Sequence, residues 1–395
     1  MQPRGRAQHS SLSARKETRV LRSLNHCVCT IIPPHILRHL THHDDDVARD
    51  TGANAWGHEV RLPVARERTL HPVDDPGPFS TRRLIKVYDA GGREFLPGKL
   101  LLDEEQPALT TEDVHAREAR EACCATYDFL ARVFLRNSID NRGMPIVASV
   151  HYGTGYTNAC WNGRQMIFGD GEGQVFRRFT AAVDVVAHEL MHGVVQYSAR
   201  LPYRGQSGAL SEHLADAFGI MAKQYACRET AARSDWFIGR GLFGAGIRGI
   251  AIRSMLMPGT AYDDKWLGRD PQPGHMHDYD ESLADNGGVH VNSGIPNRAF
   301  ALAARELGGY TWSILGRIWY RVLTGKLTPF SNFRSFARDT VDAAAELYRK
   351  PRVQRIVADA WATVGLPVSY GSRSRVSLVS SRKPSTNASR ERKNV

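Results

Sequence analysis

Apolar residues recur with two different spacings along the chain, and the spacing changes near residue 180. Before that point, short apolar runs predict strands at 146–152 and 161–170, and a hairpin over 84–96 that turns at Asp89 to Gly92. After it, apolar residues recur about every 3.6 positions, which is typical of amphipathic helices. These helices are predicted at 181–198, 209–226, 297–307, 311–324, 331–349 and 351–364. We therefore expect an α+β fold with a β-rich N-terminal lobe and a helical C-terminal lobe.

Weaker patterns lie closer to the N-terminus. A helix is predicted from Glu112 to about Leu135, because acidic residues open it and an apolar stripe follows. The sequence IIPPHILRHL (31–40) predicts an extended entry and then a short helix. Polar, proline-containing sequence predicts a connecting segment over 41–80. Its His-His-Asp-Asp-Asp run, at 42–46, is interpreted as a solvated loop, since consecutive residues rarely converge on one metal ion.

The positive charge of the protein is concentrated at its two ends. The whole chain of 395 residues carries a net charge of +11. Residues 1–25 contribute +5 and residues 368–395 contribute +6, so the sequence between them is neutral on balance. Basic ends of low hydrophobicity are typical of disordered, solvated tails. A nucleic-acid partner is therefore not expected, although an anionic-surface module that binds through these tails stays open as an alternative.

Other features of composition narrow the class of protein. The longest apolar runs are too short and too interrupted to span a bilayer, and no apolar run follows the basic N-terminus as in a signal peptide. Six cysteines with irregular spacing do not predict a disulfide framework in a chain of this length. We expect a monomeric protein made in a reducing cytoplasm, and the sequence leaves open whether it is exported without a signal peptide.

The sequence DVVAHELMHGVVQY (184–197) contains His-Glu-x-x-His as His188, Glu189 and His192. On a helix, residues four apart lie on the same face, so both imidazoles can reach one metal ion. Glu189 lies beside that face, where it can act on a bound water. A buried helix that merely carries two histidines remains possible from this motif alone.

A third ligand on a second predicted helix favours the metal site. SGALSEHLADAFG (207–219) supplies Glu212, and Asp216 follows one turn later, where it can hold a ligating imidazole by its other nitrogen. Three protein ligands and one open position are what catalytic zinc requires. With an adjacent base, His188, His192 and Glu212 form the arrangement that hydrolyses amide bonds.

These motifs resemble those of the thermolysin family of zinc metallopeptidases, and in particular its protealysin-like group. The resemblance covers about residues 27–367 and includes three further segments, TNACWNG (157–163), IRSMLMPG (252–259) and DNGGVHVNSGIPNRAF (285–300). It implies a two-lobe peptidase with the zinc helix between the lobes. It also implies that the enzyme is a neutral endopeptidase, with protein or peptide substrates and with a proteinaceous inhibitor as a further partner.

The resemblance implies a catalytic role for four residues. Glu189 would act as the general base, and His290 and Tyr203 would stabilise the oxyanion, with Asp285 orienting His290. It also implies that Asn158, Ala159 and Arg253 bind the substrate backbone. The pocket for a bulky apolar side chain just after the cleaved bond would include Phe179, Val185 and Ile252.

Two departures from the family pattern matter. At the position of the family's double calcium site, Asp184 and Asp235 are retained, but Lys223 and Arg240 stand where oxygen ligands would be needed. Since these cations repel calcium, we predict that the site is absent, with Lys223 supplying the missing positive charge. Ser211 replaces the usual Asn beside Glu212, which puts one hydrogen bond to His192 in doubt.

The resemblance also suggests how the chain is divided. We expect a basic extension at 1–25, a short self-removed propeptide at 26–78, a catalytic lobe at 79–218, a helical lobe at 219–367 and a basic tail at 368–395. The sequence does not decide whether Cys27 or Cys29 caps the zinc in the precursor, and the expectation is that neither does. A catalytically silent zinc protein that binds peptides is the second alternative.

Overall fold

The computed structural model of the chain describes residues 29–61 and 82–370, the side chains of 59–61 excepted. The predicted basic extension, most of the predicted tail, and Cys27 lie outside these residues. Ten helices occur in the described ranges: α1 Pro34–Thr41, α2 Asp46–Arg61, α3 Val114–Phe134, α4 Val183–Ser198, α5 Gly205–Cys227, α6 Asp285–Asn292, α7 Gly294–Leu307, α8 Leu315–Gly325, α9 Phe333–Tyr348 and α10 Pro351–Thr363.

The principal sheet has six strands in the order β1-β5-β6-β4-β2-β3. Its strands are β1 Cys29–Thr30, β2 Ile85–Asp89, β3 Lys99–Asp103, β4 Ile146–Val150, β5 Ala159–Trp161 and β6 Met166–Phe168. β4 runs parallel to β2 and β6, and the other neighbours are antiparallel. Two small ribbons complete the strands in the described ranges: β7 Phe237–Ile238 with β8 Arg253–Ser254, and β9 Asp263–Asp264 with β10 Gly268–Arg269.

The predicted division into a β-containing lobe and a helical lobe is confirmed. The zinc-motif helix α4 lies between them, against α3 and β5 on one side and α5 on the other. One continuous apolar cluster extends through both lobes. Close approach of α4 and α5 depends on Gly219, because a Cβ there would meet the carbonyl oxygen of Asp184 at 2.8 Å. Two buried helices are thereby held side by side.

Three local predictions were wrong. Residues 46–61 form α2, which was expected to be a connecting segment. The Asp45 carboxylate accepts hydrogen bonds from the amides of residues 47 and 48, which caps the helix. The predicted strand at 161–170 is a hairpin of two strands, β5 and β6. The antiparallel partner of β2 is β3, beyond the run predicted to form the second arm of that hairpin.

Candidate active site

Helix α4 buries both histidines of the motif at the floor of a cleft. Apolar neighbours surround them, and His188 and His192 expose 0% and 3% of their surface. Their Nε2 atoms face each other at 2.9 Å. The carboxylate oxygens of Glu212, on α5, lie 3.5 Å from His188 Nε2 and 3.4 Å from His192 Nε2. The three predicted ligands therefore converge at one point.

This geometry fits a zinc ion. Zinc–nitrogen and zinc–oxygen bonds of about 2.0–2.1 Å place tetrahedral ligand atoms about 3.3 Å apart, close to the three distances seen here. Both carboxylate oxygens of Glu189, and Oε2 of Glu212, are buried without a hydrogen-bond partner in residues 29–61 and 82–370. Such orphaned oxygens are costly unless a cation or a water satisfies them. His188, His192 and Glu212 are the residues that would hold the metal.

Asp216 positions the first of the two histidines. Its Oδ1 accepts a hydrogen bond from His188 Nδ1 at 2.8 Å, which leaves Nε2 facing the ligand cluster. Arg253 donates to both carboxylate oxygens at 2.8–2.9 Å, and Asn297 donates to Oδ2 at 2.8 Å. Burial alone would raise the pKa of Asp216, but the charge of Arg253 and the hydrogen bond from His188 lower it. His192 keeps a weaker contact, since its Nδ1 lies 3.3 Å from Ser211 Oγ.

Across the cleft, α6 presents His290, and Tyr203, the second predicted oxyanion donor, lies just before α5. His290 Nδ1 bonds to Asp285 Oδ1 at 2.7 Å, and Tyr203 Oη lies 3.1 Å from His290 Nε2 and donates to Glu212. Burial lowers the pKa of His290, but the carboxylates of Asp285 and Glu212 outweigh it and raise the pKa to about 9. Residues 286–288 all have positive φ, which turns the chain so that Asp285 reaches back to the ring. Asp285 and His290 are thus held as a rigid pair.

Residues 29–32 lie in the same cleft, where β1 pairs with β5. The Ile31 amide donates to the Ala159 carbonyl at 3.0 Å, and the Ile31 carbonyl accepts from Arg253 Nη1 at 3.1 Å. The Ile32 amide donates to Asn158 Oδ1 at 2.9 Å. Every backbone-binding residue predicted for substrate contacts this segment.

The segment also reaches the catalytic side chains. The carbonyl oxygen of Thr30 lies 2.8 Å from His290 Nε2. The side chain of Ile31 is fully buried and belongs to the same apolar cluster as the predicted pocket residues. Those residues are Phe179, Val185 and Ile252, all 0–1% exposed. The predicted catalytic, metal-binding and backbone-binding residues are therefore brought together around a segment of the chain itself. The three pocket residues are buried in the apolar cluster that also contains Ile31.

Two protein-family models match consecutive parts of the chain that carries this site. The family model described as thermolysin metallopeptidase, catalytic domain, matches residues 49–196. The family model described as thermolysin metallopeptidase, alpha-helical domain, matches residues 199–366. The chain belongs to the thermolysin family of metallopeptidases. It is a metalloendopeptidase, as the motifs predicted.

Individual relatives agree with this membership. An extracellular metalloprotease of Pectobacterium carotovorum subsp. carotovorum is 46% identical over 342 residues, which cover 86% of this chain and 97% of that protein. Protease PrtS of Photorhabdus sp. (strain Az29) is 43% identical over 344 residues, 86% of this chain and 92% of that one. The solved precursor of protealysin from Serratia proteamaculans is 45% identical with a TM-score of 0.77, and the match covers 86% of this chain and 99% of that one. The expected protealysin-like character of this thermolysin-family chain is confirmed.

Some residues that support the thermolysin-like site were missed from the sequence. Asn297 accepts a hydrogen bond from His213 Nδ1 at 2.8 Å while it donates to Asp216, and Trp319 donates to His213 Nε2 at 2.8 Å. Asn297 lies within a recognised motif, and His213 follows the predicted ligand Glu212, so position along the chain was a usable signal for both. Trp319 comes from a distant helix and gave none.

Cys29 lies beside two of the predicted zinc ligands. Its sulfur, one ring nitrogen of His192 and one carboxylate oxygen of Glu212 lie within 4.8 Å of one another. The sequence-based expectation is that neither Cys27 nor Cys29 caps the zinc in the precursor. This expectation stays a prediction, although the position of Cys29 points the other way, and Cys27 lies outside the described residues.

Proposed function

We propose that the chain is a zinc-dependent neutral endopeptidase that cleaves on the amino side of bulky apolar residues. We also propose that it is made as a precursor and removes residues 26–78 itself. The position of Ile31 carries the proposal. This bulky apolar residue is fully buried directly after a carbonyl, that of Thr30, which lies 2.8 Å from His290 Nε2. An extended peptide held in this way presents the Thr30–Ile31 bond as a substrate would present its cleaved bond.

The residues around that bond can perform hydrolysis. Zinc, when bound, would supply a positive charge that polarises the carbonyl and makes the attacking water more acidic. Glu189, buried and without a hydrogen-bond partner in the described ranges, would take the proton of that water and pass it to the leaving amine. His290 and Tyr203 would donate hydrogen bonds to the oxyanion as negative charge develops there. Asp285 keeps the His290 ring aimed at that oxygen.

Self-removal is tested with the inactive variant Glu189→Ala beside the wild-type chain. Wild type should bind about one zinc per chain, cleave a peptide in a chelator-sensitive manner, and lose its N-terminal segment. The variant should bind zinc, leave the peptide intact and stay full length. Zinc binding without cleavage by either protein would favour the catalytically silent alternative, and absence of zinc from both would overturn the proposal.

Specificity is tested with peptides that differ only in the residue after the cleaved bond. Leu, Ile or Phe there should give a kcat/KM at least tenfold higher than Ala, since two or more additional buried methylenes contribute about 0.8 kcal/mol each. Equal rates for Leu and Asp would contradict the pocket assignment. The absence of calcium at the family double site, a monomeric state, a proteinaceous inhibitor and the cellular location stay predictions.

A further inference from the structure

Cys29 lies in the cleft at the zinc ligands, on the strand that the predicted propeptide adds to the sheet. We propose that in the precursor the thiolate of Cys29 is a fourth protein ligand of the zinc ion, and that it closes the position which the attacking water needs. This inference rests on the proposed zinc-dependent function. The N-terminal segment would then keep the precursor inactive in two ways, by filling the cleft and by binding the zinc ion.

The geometry places the sulfur within reach of the ion. Cys29 is 8% exposed, and its thiol is not engaged in a disulfide. Its sulfur, one ring nitrogen of His192 and one carboxylate oxygen of Glu212 all lie within 4.8 Å of one another. Strand pairing fixes its position, because Cys29 is opposite Trp161 and Thr30 is opposite Cys160 in the antiparallel register.

The alternation of side chains along the segment supports the same orientation. Successive side chains of an extended strand point to opposite faces, so Cys29 and Ile31 share one face. Ile31 is buried in the core cluster below the cleft, and β1 lies against the zinc helix α4. Cys29 is thereby directed toward the floor of the cleft.

The chemistry of the ligand set favours a thiolate at this position. Thiolate sulfur is a preferred zinc ligand, and zinc sites with four protein ligands are structural and closed, whereas catalytic sites keep one position open. The carbonyl oxygen of Thr30 is a second donor nearby, but it is neutral and is also bound by His290, whereas a thiolate brings a negative charge to the ion. Addition of Cys29 to His188, His192 and Glu212 would therefore convert an open site into a closed one.

Binding of the Cys29 sulfur to zinc would explain why the precursor is not cut at the Thr30–Ile31 bond. The Thr30–Ile31 bond lies where a substrate bond would lie, yet a latent precursor must not cut there. Proximity to the base is not sufficient for hydrolysis, since a water must also be activated by the metal. With the sulfur bound, Glu189 has no activated water to deprotonate, and the bond remains intact.

The test uses the full-length chain with Glu189→Ala, which is expected to stay uncut, loaded with Co²⁺ in place of Zn²⁺. A thiolate bound to Co²⁺ gives a charge-transfer band in the near ultraviolet, while the visible d–d bands report tetrahedral binding with or without sulfur. We expect the ultraviolet band in this parent protein. Adding Cys29→Ala should abolish it and leave the visible bands.

Two matched controls identify the sulfur. Cys27→Ala removes a thiol two residues away, and Cys160→Ala removes the buried thiol opposite Thr30 in the sheet. Both variants should keep the ultraviolet band. A band that is missing from the parent, or that persists in Cys29→Ala, would overturn the inference.

X-ray absorption at the zinc edge gives a measurement that needs no substitution at Cys29. The uncut zinc-loaded protein should show one sulfur scatterer at about 2.3 Å beside the nitrogen and oxygen ligands. A shell with nitrogen and oxygen alone would overturn the inference but leave the proposed peptidase function untouched. If the chain bound neither zinc nor cobalt, the proposed function itself would fail.

Discussion

At the scale of single residues, one ammonium group takes the place that a divalent cation would need. Lys223 Nζ lies 3.3 Å from Asp184 Oδ2, 3.2 Å from Asp235 Oδ1 and 3.2 Å from the carbonyl oxygen of Phe237. Burial lowers the pKa of Lys223, but the two carboxylates outweigh it and raise the pKa. The prediction that calcium is absent here is supported by this arrangement of charges, although calcium binding itself stays untested.

We expect Lys223→Met to destabilise the fold by about 2–3 kcal/mol, because it leaves the buried Asp184 carboxylate unpaired. The loss should be below that of a fully buried pair, since Lys223 and Asp235 are partly exposed. Arg240→Met is the matched control, because Arg240 bonds to the same Asp235 from an exposed position and should cost less than about 1 kcal/mol. Urea unfolding measures both losses of stability, and equal losses for the two variants would contradict the role given to Lys223. A rise in Tm of the wild type on adding calcium would contradict the predicted absence of the calcium site.

A second residue-scale prediction concerns pH. His151 lies 2.7 Å from Asp113 and 2.8 Å from Asp170, and beside the ring of His115. Burial lowers the pKa of His151, but its hydrogen bonds to Asp170 and Asp113 outweigh this and raise the pKa. Its stabilising contribution is therefore fully present below the unfolded pKa of about 6.5, and is lost as the pH rises through the higher folded pKa.

We accordingly expect His151→Gln to lower Tm more at about pH 6 than at about pH 9. His115→Gln is a control of opposite sign. Burial lowers the pKa of His115, so its protonation on acidification disfavours the folded state, and its removal should relieve that loss. Thermal unfolding followed by circular dichroism across this range measures both, and equal losses of Tm at the two pH values for His151→Gln would contradict the assignment.

At the scale of elements, α1 and α2 pack as a helical hairpin that follows the strand in the cleft. Their contact is close because Gly52 has no side chain: a Cβ there would meet the Thr41 amide nitrogen at 2.6 Å and the Leu40 Cβ at 2.7 Å. Ile36, Leu37 and Leu40 on α1 are fully buried. The hairpin thus anchors the residues that occupy the active site.

We expect Gly52→Val to separate the two helices and shorten the lifetime of the full-length chain during self-processing, because the inhibitory segment would be bound less firmly. Ala53→Val is the matched control, since residue 53 is exposed on the same helix and this change lowers helix propensity, whereas Gly52→Val raises it. Gel analysis of freshly refolded protein over time gives both lifetimes. Identical lifetimes for the two variants would show that the helix contact does not limit processing.

The sequence predicted elements whose information is local. The spacing of His188 and His192 needs only helical geometry, and the apolar stripes of the C-terminal helices are strong, so these were predicted correctly to within a few residues. Helix α2 was missed because it packs through Ala48, Gly52 and Ala55, which give little apolar periodicity. The support from Trp319 and the position of Cys29 depend on contacts between distant parts of the chain, and no local pattern encodes them.

At the scale of the whole molecule, the folded body is electrically balanced and its ends are basic. No helix among the described residues is long and apolar enough to cross a membrane. The active-site contacts described above involve neither of the basic ends. We therefore expect peptide cleavage to be independent of both ends, in contrast to a protein that works by binding anionic surfaces.

Deletion of residues 1–25 and 368–395 removes eleven units of net positive charge. We expect the truncated protein to have an unchanged Tm. Its kcat/KM should stay within about twofold of the full-length value, a difference of about 0.4 kcal/mol. It should also lose salt-sensitive retention on an anionic resin. Deletion of 368–395 alone is the intermediate control. Loss of cleavage together with loss of retention would instead support the anionic-surface alternative.

The strand at the edge of the sheet has a consequence for when the enzyme begins to work. While the chain is continuous through residues 62–81, β1 meets β5 as part of the same molecule, at an effective concentration of the order of millimolar. A cut in that connection creates no free cleft by itself; it turns a tethered inhibitor into a dissociable one. Fully cut protein would then stay inhibited in a concentrated solution, because the cleaved segment rebinds. Activity would appear only when the solution is diluted.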